Sequence, residues 1–213
     1  MESNKWLSFI LSFSKKEFAM NGLIGDDPKI ISHIYQTFAS FTKKGNYLEL
    51  GCGTGILVKF INTLTGKKII PHGVDININS IEIAKKNNPK YADNFIHENY
   101  FSFLKSNTNN LNKFSSISIF VNSTRQDWKR LKKILIPIVN KYESTNFIII
   151  CYEYDFLKIE IKEISEFITE MKKISTVSVA SNSVIVIGKD KKIHETASQL
   201  RANLQMNQQG KKQ

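Results

Sequence analysis

YLELGCGTGIL, residues 47–57, sets three glycines at alternate positions, Gly51, Gly53 and Gly55, directly behind a short apolar run. Tyr47–Leu50 reads as a strand and the following ILVKFINTL as a helix, so the glycines form the turn between them. Glycine reaches positive φ without strain and lets backbone approach a ligand where a Cβ would collide. Open α/β sheets hold ligands at this place, beyond the carboxyl ends of their strands. The helix that opens after Gly55 offers unpaired N–H groups to a negative group such as a carboxylate. Glu49, two residues before the first glycine, would repel a pyrophosphate and attract an ammonium group. The spacing G-x-G-x-G departs from the dinucleotide fingerprint G-x-G-x-x-G, whose last glycine would fall at Ile56, and the P-loop pattern G-x-x-x-x-G-K-[ST] is absent.

A second acid, Asp75, lies twenty residues past Gly55 at the end of the apolar run HGVDI. An acid ending the second strand of such a sheet accepts hydrogen bonds from ribose hydroxyls. The expected ligand therefore combines a ribose, a carboxylate and an ammonium group. S-adenosylmethionine (SAM) has all three.

The remaining chain continues the same alternation. Asp27-Pro28 starts a helix in which Ile30, Ile31, Ile34, Tyr35, Phe38 and Phe41 recur at helical spacing. KIIPHGVDI is the second strand, with Pro71 tolerated only near its start or on an edge. SIEIAKKN is a helix stopped near Pro89. Further strands are expected within NFIHENYFSFL, SSISIFVN and NFIIICYEY. DWKRLKKILIPIVNKY is a helix that Pro137 should kink or restart. STVSVASNSVIVIGK reads as a closing hairpin turning near Ser181-Asn182. Strand–helix alternation followed by two strands predicts an α/β, doubly wound, mainly parallel seven-stranded sheet. The final strand should be antiparallel, at an edge. We read residues 1–24 as an N-terminal helical extension, 25–188 as the ligand-binding domain, and 189–213 as a polar basic tail outside the core.

Composition bounds the setting. The chain has 213 residues, 41% hydrophobic and 23% charged, enough for one domain with a real core. Two cysteines, Cys52 and Cys151, give neither a disulfide framework nor a metal-ligand cluster, so no metal is expected and a reducing, cytoplasmic compartment is. No stretch approaches the ~20 apolar residues that span a bilayer. WLSFILSF, residues 6–13, lacks the basic start and small-residue cleavage site of a secretory signal, and reads as the apolar face of a first helix. The net charge of +11 is almost all lysine, with three arginines. Such charge attracts RNA or another polyanion in a salt-dependent way.

ELGCGTG followed by GVDIN resembles the first two motifs of the class I, seven-strand, SAM-dependent methyltransferases, and the resemblance covers roughly residues 25–188. It implies a Rossmann-like methyltransferase fold and a cofactor site formed by Glu49, Gly51, Cys52, Gly53, Gly55, Asp75 and Ile76. Cys52 reads as a small loop residue, with no chemistry assigned to its thiol. The family's adenine-contacting acid or amide after the third strand corresponds to Asn99, with Glu98 as the neighbouring alternative and Tyr100 near the ring. After the fourth strand, FVNSTRQDW keeps Asn122 but has Ser123 and Thr124 where enzymes that methylate base amino groups carry two prolines. The layout is most similar to that of small archaeal and mitochondrial-type protein-lysine methyltransferases, through DDPKIISHIYQTF, ELGCGTG, NYF, FVNSTRQDWKRLKKIL and CYEYDF. Thr54 stands where that group usually has an acid, and LIGDD replaces its Tyr-Val-Pro. The resemblance implies a protein substrate. A lysine amine is charged at pH 7 and must lose its proton before it can accept a methyl group. Glu153, with Tyr152 or Tyr154 beside it, is the expected group to receive the incoming ammonium, and Asn122 the second catalytic candidate. RNA is the alternative acceptor, through KRLKK at 129–133, and a small molecule the third.

Overall fold

The computed structural model describes residues 2–13, 28–64, 66, 68–121, 125–151, 161–181 and 184–209. Seven strands form one sheet: β1 (Gly45–Leu50), β2 (Ile69–Asp75), β3 (Phe95–His97), β4 (Ser116–Val121), β5 (Asn146–Cys151), β6 (Thr176–Ser181) and β7 (Val184–Gly188). Their order is β3-β2-β1-β4-β5-β7-β6. Pairings β1–β2, β2–β3 and β4–β5 are parallel, and β7 runs antiparallel to both β5 and β6. The helices are α1 (Glu2–Leu11), α2 (Pro28–Phe41), α3 (Ile56–Leu64), α4 (Ile78–Asn87), α5 (Tyr100–Ser106), α6 (Arg125–Lys141), α7 (Ile161–Lys172) and α8 (Lys191–Gln209).

The chain divides into two compact units, Met1–Phe103 and Leu104–Gln213. In the first, Ile31, Tyr35, Phe38 and Phe41 form the buried face of α2, as the helical spacing predicts. Ile30 and Ile34 have side chains outside the described residues. The Phe60 ring of α3 meets Tyr35 at 5.3 Å and Phe9 of α1 at 5.5 Å, both edge-on. Such pairs add to the area they bury, and they tie α1 to this unit. Pro71 is accommodated because β3 pairs only with Gly73–Asp75, which leaves β2 locally an edge at the proline.

In the second unit, β4 and β5 are buried along most of their length, as strands covered on both faces must be. Here the structure corrects the expected edge. β7, not β6, lies inside the sheet, and all five of its residues are buried. The uninterrupted run VIVIG suits that interior place, whereas TVSVAS of β6 alternates as an edge strand does. The hairpin turn at 182–183 lies outside the described residues. Pro137 sits on the exposed side of α6, and the helix continues through it. The segment read as a polar tail begins as α8, whose Ile193 and Ala197 are buried. His194 bridges Ser178 of β6 (2.8 Å) and the Gly188 carbonyl (2.8 Å), so the first turns of α8 belong to the core.

Candidate functional site

The glycine loop joins β1 to α3 within the first unit. Gly51, Gly53 and Gly55 have φ of 80°, 51° and 68°, the left-handed region that side chains disfavour. The turn is held from below by β2. The Gly51 and Cys52 N–H groups both donate to the Val74 carbonyl, at 2.8 and 3.1 Å. Gly55 N–H closes the loop on the Cys52 carbonyl at 2.9 Å.

Two carboxylates end the neighbouring strands. Glu49 on β1 is 2% exposed, and its Oε2 has no hydrogen-bond partner. Burial pushes its carboxyl well above the usual range, and the charge of Asp75 adds to the rise. A buried anion without a partner is costly, and such groups are normally paired. Asp75, at the end of β2, is only half-buried. Its Oδ2 accepts the Gly53 N–H at 2.8 Å and its Oδ1 the Asn77 N–H at 2.8 Å. Each carboxylate oxygen retains a second lone pair. Asp75 thus ties the loop to the start of α4, where Asn77 caps the helix by accepting the Asn79 and Ser80 N–H groups.

The end of β3 joins this cluster. Glu98 N–H donates to the Asp75 carbonyl at 3.0 Å, and His97 Nε2 meets the Ile76 carbonyl at 2.9 Å. Ile76, next to Asp75 in the chain, is an apolar residue 68% exposed. Asn99 caps α5, its Oδ1 accepting the Phe101 N–H at 2.9 Å. Tyr100 is half-buried against the buried Phe101, ring centroids 4.3 Å apart. The structure therefore brings together Glu49, Gly51, Cys52, Gly53, Gly55, Asp75 and Ile76, with Asn99 and Tyr100 following the strand beside Asp75. Asn122, Tyr152, Glu153 and Tyr154 lie outside the described residues.

Three residues at the loop were not singled out from sequence. Gly73 faces Cys52: a Cβ there would lie 2.7 Å from Cys52 Sγ and 2.5 Å from the Phe95 ring. Glycine inside a strand is itself a sign of such close approach. Asn87 and Asn88, at the end of the helix expected to stop near Pro89, donate to the carbonyls of Thr54 (2.9 Å) and Gly55 (3.2 Å). Cys52 is a free, buried thiol whose pKa is raised by burial, then by Glu49 and Asp75, so it stays protonated and inert. A separate surface pocket of about 390 Å³ is lined by Lys132, Ser165, Glu166, Thr169 and Glu170, and shares no residue with the loop. Among the described residues no metal-ligand cluster occurs, and no helix is long and apolar enough to cross a membrane.

No family model matches the chain, and no curated protein matches it. Solved structures do. Monomeric WbdD superposes with a TM-score of 0.53 at 13% identity, over 80% of this chain and 44% of that one. The plantazolicin methyltransferase BpumL, in complex with S-adenosylhomocysteine (SAH), gives 0.48 at 14% identity, over 89% of this chain and 100% of that one. Precorrin-6y C5,15-methyltransferase from Geobacter metallireducens gives 0.48 at 11%, over 75% and 89%. At such identities a likeness speaks to fold, and the WbdD superposition carries it. The sheet, mainly parallel with an antiparallel β7 and a glycine loop after β1, is the Rossmann-like methyltransferase fold implied by the sequence motifs.

Proposed function

We propose that this chain is a SAM-dependent methyltransferase. One observation carries the reading: a fully buried, unpartnered carboxylate, Glu49, beneath a glycine loop and beside a second acid. That arrangement asks for a cation of defined shape, and an ammonium on a ribose-bearing ligand supplies it. Glu49 would hold the ammonium group of SAM. The first N–H groups of α3 would hold its carboxylate, and the Cβ-free backbone at Gly51, Gly53 and Gly55, with Cys52 between, would let it approach, their own N–H groups being spent within the fold. Asp75 would accept the ribose hydroxyls on its remaining lone pairs, and Ile76 and Tyr100 would cover the adenine. Asn99, or Glu98 next to it, would meet the adenine amino group. The bound cofactor supplies a methyl group on a sulfonium, ready for in-line transfer. The protein's task is then to bring a neutral nucleophile to it and keep water away.

For the acceptor we propose a protein lysine, from the layout of motifs along the chain. Glu153 would receive the lysine ammonium and Asn122 would help orient it. A second reading, RNA, is favoured by the distribution of charge. Residues 104–213 carry 18 Lys and Arg against 10 Asp and Glu, while residues 1–103 carry 12 against 9. Within α6, Arg125, Lys129, Arg130, Lys132 and Lys133 crowd the first nine residues, the end where the helix dipole disfavours cations. The protein-lysine reading also fits a reducing cytoplasmic setting, which the free thiol of Cys52 favours.

The test is methyl transfer from labelled SAM into native extract, counted separately in protein, RNA and lipid, with Gly53→Arg as control. Label in protein that the variant abolishes supports lysine. Label in RNA replaces it with the second reading. SAH binding without transfer to any of the three would point to a small-molecule acceptor.

A further inference from the structure

α4 turns one face to the glycine loop. Ala84 lies so close that a Cβ on Gly55 would sit 3.1 Å from its own Cβ. Asn87 and Asn88, one turn on, lie on the same side of the helix. Asn87 Nδ2 donates to the Thr54 carbonyl at 2.9 Å. Asn88 Nδ2 is shared between the Gly55 carbonyl at 3.2 Å and the Ala84 carbonyl at 3.0 Å. The two amides thus take the last two carbonyls before α3.

This fixes the direction of the peptide planes. The Gly55 carbonyl already accepts the Lys59 N–H at 3.2 Å as the first hydrogen bond of α3, and Asn88 fills its second lone pair. In a trans peptide the N–H points opposite to the carbonyl. Holding Gly55 O toward α4 therefore aims the Ile56 N–H away from α4, at the open start of α3. The same holds for Thr54 O and the Gly55 N–H, which closes the loop on Cys52. Gly55 has to be glycine for this contact to form: a side chain would lie 2.8 Å from Asn88 Nδ2.

We propose that Asn87 and Asn88 are positioning residues of the cofactor site, acting through the Thr54 and Gly55 carbonyls to hold the loop in its ligand-ready form. The inference rests on the cofactor reading above. Asn87 gives the clean test, because its other side-chain contact is separate: Oδ1 accepts from Lys59 Nζ at 3.5 Å. Asn87→Asp keeps a partner for Lys59 and replaces the donor to Thr54 with an acceptor that its carbonyl repels.

The experiment measures three things in the full-length protein and in Asn87→Asp. They are SAH affinity by calorimetry, hydrogen exchange of the loop amides without ligand, and Tm. The expected result is about fivefold weaker SAH binding and about fivefold faster exchange across residues 54–57, the scale of one net hydrogen bond, with Tm lower by no more than the about 2–4 °C such a bond is worth at this size. Asn87→Ala, which loses the donor without that repulsion, should show the same changes at no larger size, and Asn88→Asp, which sets a carboxylate against two carbonyls, should exceed both. Unchanged exchange and affinity in Asn87→Asp would overturn the proposal. So would a fall in Tm well beyond about 4 °C with faster exchange throughout the protein, which marks a merely structural role. If the unaltered protein binds no SAH, the cofactor reading fails on its own, and the exchange measurement still decides whether the asparagines position the loop.

Discussion

The Asp75 carboxylate accepts the backbone N–H of Gly53 at 2.8 Å, so the acid that ends β2 is tied directly to the loop that follows β1. Glu49, ending β1, has no such partner for its Oε2. Burial, and then the charge of Asp75, raise the Glu49 carboxyl, so its ionised form costs stability and favours a cation beside it.

Glu49→Gln should therefore stabilise the free protein wherever the pH is high enough to ionise Glu49, while weakening SAH binding. Removing an unpaired buried charge is worth about 1–3 kcal/mol here, and each kcal/mol moves Tm by about 2–4 °C at this size. Thermal unfolding with and without SAH checks both halves. A variant with lower Tm than the parent would show that Glu49 is satisfied within the fold.

The pH dependence follows from the direction of the shift. The Glu49 carboxyl is raised in the folded state above its ordinary 4.5, so the fold binds a proton more tightly than the unfolded chain does. Its contribution to stability is present below the unfolded value and is lost as pH rises through the folded one. SAH affinity should run the other way, climbing as Glu49 ionises. Denaturant unfolding and calorimetry across pH test both trends. Glu49→Gln should flatten each of them.

Gly73→Ala should destabilise the protein by about 1–3 kcal/mol, because the new Cβ overpacks a closed space. It would lie 2.5 Å from the Phe95 ring and 2.7 Å from Cys52 Sγ. Urea titration of the single variant, and of the pair with Phe95→Leu, reads the effect. The second change should recover part of the loss, since the two sites touch.

Ser80 predicts the opposite sign. Its Oγ is buried without a hydrogen-bond partner, and the residue is 1% exposed in the first turn of α4. Ser80→Ala removes the desolvated hydroxyl and improves helix propensity, so stability should rise by about 1 kcal/mol. A fall in Tm would mean the hydroxyl has a partner in solution.

The glycine loop and the two acids of the candidate site were legible because their signals are local. Strand, glycines and helix follow one another within YLELGCGTGIL, and an acid at each strand end needs only the alternation to be placed. The position of β7 was not legible in the same way. A hairpin pattern gives the pairing of β6 with β7 but not which of the two meets β5, although the unbroken apolar run of Val184–Ile187 carried the hint. The buried start of α8 was hidden by its polar composition, since only Ile193 and Ala197 face inward. Asn87 and Asn88 looked like a helix ending before Pro89. Their contacts with Thr54 and Gly55 span 33 residues of chain, and nothing local announces them.

The most direct measurement is calorimetric titration of SAH into the protein and into Glu49→Gln. The parent should bind, and the variant should bind at least about tenfold more weakly, as expected when a charge-assisted hydrogen bond is lost. A parent that binds no SAH, or a variant that binds it equally well, would contradict the assignment of Glu49 and the cofactor site built around it.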